Sequence, residues 1–150
     1  MDLSYQEKSI LGSLLAIVVV FGCYFAAVLR DLSRGEFGGT VGRLVVAGIA
    51  IVVIEIVYHI VLALESNPEP KDERDTLIEC KAYRNAYFLL ATGAFGVMAW
   101  IAMTGLVRDG APTITAATNF ITVNLVLFFM VLAEVMMFLT QLFYYRRGLR

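Results

Sequence analysis

LVVAGIAIVVIEIVYHIVLAL, residues 44–64, is an unbroken apolar run about twenty residues long, interrupted only by Glu55 and His59. Its length decides the fold. Twenty residues of α-helix rise roughly 30 Å, the thickness of a bilayer's hydrocarbon core, whereas a barrel strand crosses with about 10. Hydrophobic period cannot separate helix from strand in so uniform a run, so length has to.

Three more blocks of this kind follow the same logic. They run from about residues 10–29 (ILGSLLAIVVVFGCYFAAVL), 86–106 (AYFLLATGAFGVMAWIAMTGL) and 120–145. The composition agrees: 59% hydrophobic and only 17% charged over 150 residues, with a mean hydropathy of +0.76. A soluble domain of this size is nearer half apolar and a quarter charged. The chain is therefore expected to be all-α, a single polytopic bundle of four transmembrane helices over residues 1–150.

A secretion signal is the competing reading of the first block, and VFGC at 20–23 is faintly like a lipoprotein cleavage site. The segment before it carries Asp2 and Glu7 against a single Lys8, and Phe21 is bulky where a small residue is needed. A signal core is also shorter than this block. A membrane span is the better reading.

Orientation follows from the basic residues. Lys8, Lys71, Arg74, Lys81, Arg84, Arg146, Arg147 and Arg150 fall on the side holding both termini; Arg30, Arg34, Arg43 and Arg108 fall on the other. Both termini are expected in the cytoplasm of a prokaryotic cell, with the protein in its plasma membrane. Arg146, Arg147 and Arg150 read as an anchor to anionic membrane lipid, and no nucleic-acid patch is present. Trp100, Tyr144 and Tyr145 suit the interfacial aromatic belt. Cys23 and Cys80 are too far apart in this topology to pair, match no CxxC or zinc pattern, and read as small packing residues.

The polar segment ESNPEPKDERDTLIECKAYRNAY, 65–87, joins spans two and three. Pro68 and Pro70 end span two. From Lys71 there is no Gly or Pro until Gly93, so a cytoplasmic helix over about 71–85 should run without a break into span three. Acidic residues in its first turn suit the positive end of the helix dipole. Asp72, Glu73, Arg74, Asp75, Glu79 and Lys81 on this segment are candidates for a cytoplasmic entrance or for docking a cytoplasmic protein partner. The stretch DERDTLIECKA, 72–82, resembles the signature of a family of small prokaryotic predicted membrane proteins, which reads DER, then an isoleucine, then KA. Asp72, Glu73, Arg74, Ile78, Lys81 and Ala82 carry the likeness. That family is classed as one of unknown function, so the resemblance implies the four-helix fold and no activity.

Glu55 and His59 are the residues that call for an explanation. An ionisable group in mid-bilayer costs about 2.5–3.5 kcal/mol on insertion scales and is usually turned into the bundle or a wet cavity. At a spacing of four they share one helix face. In span four, Asn124, Leu127, Val131, Glu134, Phe138, Gln141 and Tyr145 form a similar stripe. In span three, Asp75, Glu79, Ala82, Ala86, Leu89, Gly93, Gly96 and Trp100 run from acidic to small, which lets helices approach closely. Counting from the membrane exits puts Glu55 and Glu134 at similar depth. The expectation is an intramembrane cluster of Glu55, His59, Glu134 and Gln141, open to the cytoplasm.

Three uses of that cluster compete. Glu55, His59 and Glu134 could ligate a divalent metal ion, carboxylate and imidazole being a suitable donor set. The same groups could shuttle protons or bind a solute for transport. They could also simply hydrogen-bond the helices together. For function, the classes left open are a transporter or channel for a cation or small solute, homo-oligomeric because four helices rarely enclose a path alone; a regulatory or scaffolding subunit docking through residues 71–85; and a metal-dependent membrane enzyme, the least supported because no nucleophile or metal motif is present.

Overall fold

A computed structural model describes residues 4–66, 70–107 and 115–147. It contains four helices, α1 (Tyr5–Arg34), α2 (Thr40–Glu65), α3 (Glu73–Val107) and α4 (Ala116–Arg147), and no strand among the described residues. All four are long and apolar enough to cross a membrane. The chain is a four-helix membrane protein. Each span expected from the sequence lies inside one helix, and each helix runs beyond its apolar block at both ends, most of all α3. That helix starts at Glu73 and continues unbroken to Val107, as the absence of Gly and Pro before Gly93 requires.

The helix ends are set by local chemistry. Ser4 caps α1 in a reciprocal box: its hydroxyl accepts from the Glu7 N–H (3.2 Å) while the Glu7 carboxylate accepts from the Ser4 N–H (3.0 Å). Gly35, at φ +70°, closes the other end in the left-handed conformation. Asp72 and Asp75 repeat the reciprocal box at the start of α3, with bonds of 2.7 and 3.1 Å. The start of α4 lies ahead of its apolar block, which begins at Phe120. Thr115 caps it, accepting from the Thr118 N–H, because the helix begins one turn earlier, at Ala116. The rest of the turn before it, 108–114, lies outside the described residues, as do Pro68 and its neighbours.

Laterally the helices follow the order α2, α1, α4, α3: the packed pairs are α1 with α2, α1 with α4, and α4 with α3. Neighbours in this order are antiparallel. Within their apolar spans the inner two, α1 and α4, bury the most, while α2 buries only Ala47 and Leu62. Such exposure would be ruinous in water, but lipid tails are as apolar as these side chains, and membrane helices gain little by covering them.

At the end away from the termini, Tyr24, Val28, Ala47 and Phe120 form the apolar core. The Tyr24 hydroxyl donates to Asn124 Oδ1 at 2.8 Å, and Asn124 Nδ2 returns a bond to the Phe120 carbonyl, both side chains being buried. Arg43 pairs with the buried Asp31 and so ties the start of α2 to the end of α1. Tyr24→Phe leaves Asn124 Oδ1 buried without its donor; the expected loss is about 1–2 kcal/mol in a denaturant titration of the detergent-solubilised protein.

Cys23 and Cys80 are both free and exposed. Each falls on the outward side of its helix.

Candidate functional site

At the end of the bundle that holds the termini, the four helices enclose a cavity of about 400 Å³. Its inner end is built by α1 and α2. Gly12 makes this contact possible, since any Cβ there would overlap the Tyr58 ring. Tyr58 lies over that glycine and donates its hydroxyl to the Lys8 carbonyl at 2.6 Å. The close approach brings Glu55 and His59, on the adjacent face of α2, onto Ser13 of α1.

The three side chains form a triangle. Ser13 Oγ donates to Glu55 Oε2 at 2.7 Å, His59 Nε2 lies 3.1 Å from the same oxygen, and Ser13 Oγ and His59 Nε2 are 3.3 Å apart. Glu55 Oε1 is shut off from solvent with no hydrogen-bond partner among the described residues. A buried carboxylate oxygen left so is costly until a proton, a donor or a cation reaches it. The triangle is not a nucleophilic triad. In a triad the serine and the acid use opposite ring nitrogens, so that the ring passes a proton between them; here both meet Nε2.

Gln141 lines the cavity from α4, buried to 7% exposure. Phe138 and Tyr145, on the same line of α4, join it. Glu134 does not. It continues that line one turn deeper than Phe138, but it is exposed and outside the cavity. The expected grouping of Glu134 with Glu55 and His59 is therefore corrected. Equal depth was not enough, because α2 leans on α1 and turns Glu55 toward Ser13 instead of toward α4. The three-ligand metal set falls with it: only Glu55 and His59 meet, and no group of three His, Cys, Asp or Glu side chains suited to a metal occurs among the described residues.

At the outer rim Lys71 is hydrogen-bonded to Glu79, and that bond to the carboxylate pushes the ammonium pKa up. Tyr5 and Tyr83 complete the rim. Asp75 is not a free entrance charge: it is 8% exposed, caps α3 and accepts from the Tyr145 hydroxyl at 2.9 Å. Tyr145 therefore faces inward and is not a belt residue. Lys81 sits 4.8 Å over the Tyr144 ring. Glu73 and Arg74 stay exposed; Asp72 is exposed but caps the helix. Ile78 and Ala82 are fully buried. The residues of the 72–82 motif thus divide into a helix cap, an exposed pair, a packed face and one cation over a ring.

Ser13 is the site residue that the sequence reading missed. The signal was present: Gln6, Ser9 and Ser13 follow helical spacing in the first half of α1, the same stripe pattern that marked spans two and four. Hydroxyls in an apolar run pass easily for filler, whereas a glutamate does not.

Comparisons of the chain with protein-family models, with curated proteins and with solved structures found no match. The class stands on the fold alone: a four-helix membrane protein with a polar cavity at one end.

Proposed function

We propose that the protein binds a cation or small solute in the cavity between its four helices and carries it across the membrane. The observation that supports this reading most is Glu55. It is a carboxylate at the inner end of a cavity reached from the bundle end, with one oxygen doubly hydrogen-bonded and the other sealed off without a partner. Buried polar groups ordinarily have a partner, and a bound ligand would supply one here. By the distribution of Lys and Arg, the cavity opens to the cytoplasm of a prokaryotic cell. Exposed Glu134, in mid-span, supports self-association, since a carboxyl facing lipid is costly and a second copy would cover it. The likeness of residues 72–82 to the family of small prokaryotic membrane proteins is compatible with this picture through the four-helix fold alone; of that stretch only Glu79 lines the cavity.

Docking of a regulatory partner on α3 is the second reading, and exposed Leu77 and Tyr87 favour it. Of the charges on this segment, Asp72, Asp75, Glu79 and Lys81 are engaged within the chain, leaving Glu73 and Arg74 as the outward pair.

Native mass spectrometry of protein released gently from membranes tests the primary reading. A retained ligand mass is expected on the native protein and on Glu134→Gln, with at least tenfold lower occupancy on Glu55→Gln, equivalent to about 1.4 kcal/mol. Bare protein in all three would return Glu55 and His59 to a packing role.

A further inference from the structure

We propose that the ligand of this cavity is a small organic cation, an alkylammonium, rather than a metal ion or an anion; this rests on the transport reading above. Four observations converge on that chemistry. The first is charge. Lys71 is taken up by Glu79, so the inner end presents the Glu55 carboxylate with His59 beside it and no unpaired lysine or arginine among the described lining residues. An anion finds no free cation there.

The second is ligand count. Divalent ions demand several oxygen or nitrogen donors in fixed geometry. The cavity brings only Glu55 and His59 into contact, with Ser13 already donating to that carboxylate, and no three-residue metal group exists among the described residues. Two such donors do not replace the hydration shell of a divalent ion.

The third is the wall. Tyr5, Tyr83, Phe138 and Tyr145, one or more rings from each of α1, α3 and α4, line the space between rim and carboxylate. Aromatic rings attract weakly hydrated cations, and an alkylammonium also gains from apolar contact with the ring and with Met137. The fourth is size. A cavity of about 400 Å³ falls within the ~300–1,000 Å³ range of small-molecule sites and is far larger than a bare ion needs. A charge-neutralising carboxylate at the bottom of an aromatic-walled space of this size suits one positive head carrying short alkyl arms.

Isothermal titration of the full-length protein in lipid nanodiscs tests this, with tetraethylammonium, Mn2+ and acetate as the probes. Tetraethylammonium is expected to bind, and Mn2+ and acetate not to. Glu55→Gln should weaken tetraethylammonium at least tenfold. Tyr83→Leu should weaken it about fivefold while Tyr83→Phe retains it, a pattern that a merely structural tyrosine would not produce; thermal melts of each variant report folding separately. Binding of Mn2+ in place of tetraethylammonium, lost in Glu55→Gln, would overturn the organic-cation assignment and leave the transport reading standing. Binding of acetate alone would overturn the sign of the site. Binding of no probe by folded protein would overturn this inference and remove Glu55 as a cation site altogether.

Discussion

Gly93→Leu is expected to force α3 away from α4 and to lower stability by about 3 kcal/mol or more, the upper end of overpacking costs in close-packed interiors. At Gly93 an added Cβ would lie 2.6 Å from the Cβ of Phe129 and overlap its ring. Phe129 cannot swing clear, because the overlap begins at the root of its side chain. The α3–α4 pair has then to separate along its length, and α3 has no other strongly packed neighbour to hold it. Gly96→Leu, three residues further along, is the control: nothing lies within 4 Å of the Cβ position there, and the change should stay within about 0.5 kcal/mol. Thermal melts followed by circular dichroism in detergent check both. Equal melting points for the two variants would mean that α3 does not pack on α4 at Gly93.

Asp75→Ala carries the second large effect, an expected loss of about 2–3 kcal/mol. The Asp75 carboxylate closes the reciprocal cap at the start of α3 and accepts from the Tyr145 hydroxyl. Losing the Asp75 half of that box, with Asp72 still capping the helix, costs about 0.5–1 kcal/mol, and leaving a half-buried tyrosine hydroxyl without its acceptor adds about 1.5–2 kcal/mol. Tyr145→Phe alone should cost less, about 1 kcal/mol. The double variant should be no worse than Asp75→Ala, since both changes remove one bond; a double-mutant cycle in urea measures that shortfall from additivity. Full additivity would show that the two side chains act separately. Charge reversal at Asp75 would by the same reasoning damage the fold before it reported on partner docking.

These two residues also mark how far the chain could be read without coordinates. Both were placed on one face of span three by helical spacing, and both are buried on that face. Gly96, placed beside them, is exposed, because the face that meets α4 follows Asp75, Ile78, Ala82, Gly93 and Val97. Spacing in an apolar helix gives a broad sector, and contact with a single neighbour uses only a narrow strip of it.

Four spans, the unbroken passage of α3 from 73 into the third span, and the sharing of one line by Phe138, Gln141 and Tyr145 were all determined by the sequence. Each is a local consequence of length, backbone chemistry or helical period. Which helices are neighbours was decided only in the tertiary structure. Period states which side chains share a face, and an apolar surface in lipid gives no preference among the faces it could meet. So Glu55 and Glu134, matched in depth and each on a polar stripe, are separated by the order α2, α1, α4, α3, and Ser13 takes the place beside Glu55. That choice rests on the room Gly12 leaves for Tyr58, a contact between residues far apart in the chain.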